Sequence, residues 1–210
     1  MKNKTEIIML IDRSGSMQSI KEETISGFNE FLAMHKKESP DAGISLIQFD
    51  HEYTPVYTDR KIQEAEPLDN STFVPRGMTA LLDAIGKTVK DTSKRHKKLP
   101  KEERPERVIF VIITDGMENM SHKYNREQVM KMISKKQDKH NWNVIYLGAN
   151  QDAIQEAVSM GINAERSLTF AADKEGTVRA FMSVKHIVSN LIEGNDDAIF
   201  SDEDWEAQKR

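Results

Sequence analysis

Short apolar runs rich in β-branched residues alternate along this chain with longer stretches of helical periodicity. The most apolar run, residues 108–113, contains no polar side chain, which is typical of a strand covered on both faces. Alternation of strand and helix patterns indicates βαβ units and a mainly parallel sheet. We therefore predict an α/β fold. The predicted strands are residues 6–11, 44–49, 51–60, 108–113, 142–147 and 166–170.

The stretches between these strands predict five helices. They cover residues 17–37, 79–94, 126–139, 152–160 and 174–192. The strand at 51–60 follows its predecessor too closely for a crossover helix, so we expect it to run antiparallel at the edge of the sheet. The last helix carries an apolar stripe that we expect to be buried. The stripe consists of Val178, Phe181, Met182, Val184, Val188 and Leu191.

Composition narrows the possible chemistry. The 210 residues are 38% hydrophobic and 30% charged, with no cysteine, which fits a globular protein and excludes thiol catalysis or zinc–thiolate sites within this chain. The apolar run at residues 7–11 is too short for a signal peptide or a membrane span. We therefore expect a cytoplasmic protein without a membrane segment, in which oxygen or histidine would bind any metal.

Charge is segregated along the chain. Residues 94–107 contain seven Lys or Arg against three Glu, while residues 194–210 contain six acids against two bases. The basic stretch has two prolines and no interleaved aromatic residues, so a solvated loop is favoured over a nucleic-acid site. We divide the chain into a domain at 1–193 and a loosely held acidic C-terminal tail at 194–210. In that tail, Phe200 and Trp205 could form a short binding segment or dock on the domain.

Three polar segments follow or face predicted strand ends. Asp12, Ser14 and Ser16 come directly after the first strand, and Asp115 follows the strand at 108–113. Thr79 opens a predicted helix after a loop. Ligands of open parallel sheets bind at the carboxyl ends of the strands, so we expect these groups to face one crevice if the two strands are neighbours.

The five side chains offer only oxygen atoms, which hard divalent cations prefer. Two carboxylates in one crevice would repel each other, and a dication would compensate both charges. We therefore predict a site for Mg²⁺, or Mn²⁺, formed by Asp12, Ser14, Ser16, Thr79 and Asp115. Because three of these ligands are neutral hydroxyls, the ion would stay receptive to an anion from outside.

This set of residues resembles the metal-ion-dependent adhesion site (MIDAS) of von Willebrand factor A domains. The matching motifs are Asp12-x-Ser14-x-Ser16, Thr79 before Ala-Leu, and Asp115 in Thr-Asp-Gly. The resemblance implies a three-layer, doubly wound, Rossmann-like fold with strand order 3-2-1-4-5-6. It also implies a binding module, not an enzyme, in which a Glu or Asp of a partner protein completes the metal shell. Met78, where the family commonly has a small residue, departs from this pattern.

The same residues allow simpler interpretations of the three segments and one rival function. Each segment taken alone is an ordinary turn or helix cap, and Asp50 and Glu118 near strand ends are more consistent with solvated loop acids. The six histidines show no metal-ligand spacing. The alternative function is a metal-dependent phosphoryl-transfer or hydrolytic enzyme with Asp12 as nucleophile.

Overall fold

The strands predicted from the sequence form one six-stranded sheet in the computed structural model, which describes residues 4–149 and 152–208. The strands are β1 (Thr5–Asp12), β2 (Gly43–Phe49), β3 (Tyr53–Lys61), β4 (Arg107–Thr114), β5 (Trp142–Ala149) and β6 (Ser167–Phe170). The helices are α1 (Lys21–Glu38), α2 (Leu81–Lys98), α3 (Arg126–His140), α4 (Ala153–Ser159), α5 (Lys174–Ile192) and α6 (Asp202–Ala207). The predicted α/β class is confirmed.

The strand order is β3-β2-β1-β4-β5-β6, as the resemblance implied. Every neighbouring pair is parallel except β2 and β3, which pair antiparallel at one edge. The two most apolar strands are direct neighbours, with Ile11 opposite Ile113. Because parallel strands end at the same edge of a sheet, this pairing brings the residues after β1 and β4 together.

Helices cover both faces of the sheet. Ile7, Met9 and Ile11 of β1 face a core shared with α1 and α5. Ile8 and Leu10 face the opposite core, shared with α2, α3 and α4. Successive side chains of a strand point to opposite faces, so an unbroken apolar strand is what this double burial requires.

Helices α1 and α5 differ in detail from the sequence prediction, and α2 continues to Lys98, beyond its predicted end at residue 94. The helix expected from residue 17 begins as a 3₁₀ turn, Gly15–Ile20, and becomes α-helical only at Lys21. In α5, Val178 and Met182 are 38% and 46% exposed, so their predicted burial is wrong. The buried face of α5 instead follows strict three- and four-residue spacing, which leaves these two positions outside it. Its members are Gly176, Thr177, Ala180, Phe181, Ser183, Val184, Ile187, Val188 and Leu191.

The described part of the acidic tail packs on the domain. Phe200 is 1% exposed, and its backbone N–H donates to the Glu165 carbonyl over 2.9 Å. Ser201 and Asp204 form a capping box that begins α6. The Trp205 indole N–H donates to the Ser167 carbonyl over 3.3 Å. Of the two arrangements that the sequence left open for Phe200 and Trp205, docking on the domain is therefore the one that they adopt.

A membrane span is not found among the helices at residues 4–149 and 152–208, because none is both long and apolar enough to cross a bilayer. The cytoplasmic location stays a prediction.

One histidine is buried without hydrogen bonds. His35 of α1 is fully buried against Phe31, at 4.3 Å between ring centroids in an edge-to-face arrangement. Neither ring nitrogen has a hydrogen-bond partner in the described part of the chain. Burial, with the charge of Lys185 as a second cause, lowers the pKa of His35 to about 4. The ring is therefore neutral in the folded protein at neutral pH.

This burial predicts an acid-dependent loss of stability. Because the folded-state pKa lies below the ordinary value of 6.5, the unfolded chain takes up the proton first as pH falls. The stabilisation that comes from keeping His35 neutral is fully present above pH 6.5. The free energy of unfolding falls by up to about 3 kcal/mol as the pH approaches 4. Urea unfolding between pH 7.5 and 4.5 should show a shallower loss for His35→Leu than for the unchanged protein. Equal pH slopes for the two proteins would contradict the assignment.

Candidate metal site at the carboxyl edge of the sheet

Asp12 ends β1 beneath the crevice at the carboxyl edge and is fully buried. Its Oδ1 accepts from the Ser14 backbone N–H over 2.6 Å, and its Oδ2 accepts from the Thr114 hydroxyl over 2.5 Å. Burial nevertheless raises the pKa of Asp12 to about 6, and the charge of Asp115 adds to the rise. Without a compensating cation, the ionised form of this carboxyl is therefore disfavoured.

The two serines turn back toward the same crevice. Ser14 and Ser16 have their hydroxyl oxygens 3.1 Å apart, and the Ser16 hydroxyl donates to Asp115 Oδ1 over 2.6 Å. Burial raises the pKa of Asp115 as well. The first and last segments of the predicted site are therefore in direct contact.

Thr79 reaches the crevice from the loop before α2. It is 3% exposed, and its backbone N–H donates to Asn119 Oδ1 over 3.0 Å. Its carbonyl in turn accepts from the N–H groups of Asn119 and Met120, over 3.1 and 3.2 Å. The loop after β4 thus fixes the backbone at Thr79, and the structure brings all three predicted segments together.

Gly116 marks the point on which the oxygen atoms converge. A Cβ atom added there would lie 2.6 Å from Thr79 Oγ1, 3.3 Å from Ser14 Oγ and 3.4 Å from Asp12 Oδ2. Glycine is therefore the residue that leaves this space open. Hydroxyl and carboxylate oxygens around a small space, in which two carboxyl pKa values are raised, suit a hard divalent cation.

The crevice opens to solvent as a shallow cavity of about 400 Å³. Met78 and Met117 lie at its rim and are 49% and 74% exposed. The departure at Met78 thus gives the cavity an apolar rim, to which a second methionine contributes. An ion held by the oxygens would be accessible from this side.

The model of the von Willebrand factor type A domain matches residues 6–184. The chain belongs to this family. No curated protein sequence matches this von Willebrand factor type A (VWA) chain.

Solved structures share the fold at low identity. The pilus adhesin SpaC of Lactobacillus rhamnosus GG is 12% identical with a TM-score of 0.64, over 90% of this chain and 31% of that one. Proximal thread matrix protein 1 of the mussel byssus, with a zinc-occupied MIDAS motif, is 15% identical with a TM-score of 0.55, over 88% and 46%. The SpRpn10 VWA domain is 12% identical with a TM-score of 0.54, over 85% and 94%. This chain spans less than half the length of the first two.

The acid at Asp50, expected to be solvated, is buried beside the site of this VWA domain. Asp50 is 0% exposed, and its Oδ2 accepts from the Nε atoms of Arg13 and Arg76 over 2.9 and 3.0 Å. Its carbonyl accepts from the Ala80 N–H over 2.9 Å. The expectation is wrong because two guanidinium groups compensate the buried charge. Asp50 therefore ties the loop after β1 to the loop that carries Thr79.

Glu118 is likewise not a free surface acid. Its carboxylate accepts from the backbone N–H groups of Leu82, Met120 and Ser121, over 2.7 to 2.9 Å. It thus supplies an acceptor for an N–H group in the first turn of α2, which has no partner within the helix. Sequence reasoning missed this role, and also those of Thr114 and Asn119, because each depends on a partner distant in the chain.

A second group of potential metal ligands lies close by. Ligand atoms of Asp50, His51 and Glu52 lie within 4.8 Å of one another. Arg13 and Arg76 already pair with this cluster, and Arg76 contacts both acids. Two resident cations leave little negative charge for a metal ion. The crevice around Gly116 is therefore the better candidate.

The open space at Gly116 predicts the effect of a single methyl group. Gly116→Ala should weaken Mg²⁺ binding by about 10–100-fold, the range found when groups supporting a metal site are disturbed, because its Cβ would occupy the space between the oxygens. Isothermal titration with MgCl₂ measures this. Gly15→Ala is the matched control, since a Cβ there meets only the Gly77 carbonyl at 3.4 Å. Equal affinities of both variants and the unchanged protein would exclude the crevice.

Proposed function

We propose that Asp12, Ser14, Ser16, Thr79 and Asp115 hold one Mg²⁺ ion, with Mn²⁺ as the alternative. The observation that carries this proposal is the convergence of Thr79, Ser14 and Asp12 oxygens on the open face of Gly116. The raised pKa values of Asp12 and Asp115 support it, because a dication would favour both ionised carboxylates. Oxygen-only donors favour Mg²⁺ over softer metals.

We propose further that this VWA domain is a protein-binding module, with a Glu or Asp of a partner protein completing the metal shell. Hydroxyl groups supply three of the five proposed ligands, so much of the positive charge of the ion would remain available to an anion. The solvent-open cavity supports access from outside. A carboxylate is the protein side chain that best meets a hard cation.

Met78 and Met117 would contact the partner around that carboxylate. Both side chains are exposed at the rim, and methionine adapts its shape to irregular apolar surfaces. A partner acid flanked by apolar residues would therefore bind better than one flanked by polar residues.

An enzymatic role for Asp12 has less support from the same geometry. A nucleophilic carboxylate must reach its substrate, whereas Asp12 is fully buried and both its oxygens accept hydrogen bonds from within the domain. This burial and these hydrogen bonds fit a residue that holds the loops of the site in position better than they fit a nucleophile.

The proposal predicts an unusual pair of effects for Asp12→Asn. The folded pKa of Asp12 is raised from 3.8 to about 6, so the ionised group costs stability above pH 6, by up to about 3 kcal/mol in metal-free protein. At pH 7.5 in EDTA, Asp12→Asn should therefore melt at or above the temperature of the unchanged protein. Its melting temperature should not rise with MgCl₂, whereas that of the unchanged protein should.

Asp138→Asn makes the same chemical change on the exposed surface of α3 and should keep the Mg²⁺ response. Partner capture from a cell extract should require Mg²⁺ and fail for Asp12→Asn. A Mg²⁺ response that survives in Asp12→Asn would rule out the metal site, and capture that persists in EDTA would rule out the metal-mediated contact.

A further inference from the structure

A groove of about 630 Å³ lies between the C-terminal halves of α2 and α3. The groove is also lined by Val108 and Trp142, at the starts of β4 and β5. It therefore lies at the opposite end of the strands from Asp12. Its walls carry an unusual density of positive charge. The cations are Lys90, Lys94, Lys97, Arg104, Lys135 and Lys136.

These cations have no acidic partner. Within residues 4–149 and 152–208, none of the six forms an ion pair, and no Asp or Glu lines the groove. Lys136 is partly buried with its Nζ 5.2 Å from the centroid of the Trp142 ring. Burial, together with the charges of Lys97 and Lys135, lowers the pKa of Lys136. The groups of the two walls are thus close enough to repel one another.

The helix dipoles do not account for this arrangement. Cations in the last turn of a helix are favourable, but the effect is confined to that turn. Lys90 and Lys94 precede the last turn of α2, and Lys135 and Lys136 precede that of α3. Lys90 and Lys94 are also four residues apart, a like-charge spacing that destabilises a helix. Because none of the six cations forms an ion pair in the described part of the chain and no acid lines the groove, the arrangement points to an anion from outside.

The floor of the groove specifies the kind of anion. Met132 and Pro105 are partly exposed and contribute apolar surface beside the lysines, so the ligand needs apolar groups as well as negative charge. We propose that this groove binds an acidic amphipathic segment of a partner protein, with carboxylates against Lys94, Lys97 and Lys136 and apolar side chains against Met132 and Pro105. A helix lying in a groove between two helices is a common mode of peptide recognition.

Nucleic acid fits the same groove less well. Binding of single strands relies on aromatic faces on which bases stack. Trp142 is the tryptophan in this groove, but it is 3% exposed, and Lys136 covers one face of its ring. Lysines also outnumber the single arginine, whose planar fork is the group suited to bidentate phosphate contacts.

The test uses the full chain and three dye-labelled probes in fluorescence anisotropy. The first is a synthetic peptide with Leu on one helical face and Glu elsewhere, the second replaces Leu by Ser, and the third is a thymidine oligonucleotide. The first should bind most tightly, and added NaCl should weaken it because the lysines are solvent-accessible. The double variant Lys94→Glu/Lys136→Glu should weaken this peptide by roughly tenfold or more.

Lys174→Glu is the control, because it makes one such Lys→Glu change on α5, on the other face of the sheet. It should leave peptide binding within about twofold. Thermal melting shows whether the double variant folds. EDTA and Asp12→Asn should leave peptide binding unchanged, which separates this groove from the metal site.

Three results would overturn the proposal. In the first, the double variant binds the amphipathic peptide as well as the Lys174→Glu control does. In the second, the oligonucleotide binds more tightly than the peptide and is lost in the double variant, which would make the groove a nucleic-acid site. In the third, the Ser-substituted peptide binds as well as the Leu peptide, which would remove the role of the apolar floor.

Discussion

A carboxylate buried at the end of a central strand is the constraint on which the candidate site depends. Asp12 is withdrawn from water by helices on both faces of the sheet, and β1 lies between β2 and β4. Hydrogen bonds from Ser14 and Thr114 orient the carboxylate but do not supply a full positive charge. An ionised Asp12 therefore destabilises the metal-free domain, and a bound cation would offset that cost.

The loops around this carboxylate are held by a second set of buried charges. Asp50 joins Arg13 to Arg76, while Glu118 and Asn119 fasten the loop after β4 to the start of α2 and to Thr79. These contacts hold the oxygen atoms in place before any ligand binds, and preorganisation of this kind limits the entropy lost on binding. The fixed loops and the exposed methionine rim together suit a surface that recognises another protein.

Much of this fold and of this site could be predicted from the sequence. Unbroken apolar strands such as residues 108–113 indicate burial on both faces without any knowledge of partners, and a turn after such a strand places Asp12 or Asp115 at the carboxyl edge. Other features depend on the three-dimensional partners. The apolar pattern alone did not place Val178 and Met182 outside the buried face of α5, and Asp50 resembles any loop acid until two arginines are seen beside it.

The most direct test of the account is an anomalous diffraction measurement on crystals of this VWA domain grown with MnCl₂. We expect one strong Mn²⁺ peak in the crevice, within coordination distance of the hydroxyl oxygens of Ser14 and Ser16 and beside Gly116. A peak at Asp50, His51 and Glu52 instead, or no peak in crystals with the crevice open to solvent, would contradict it.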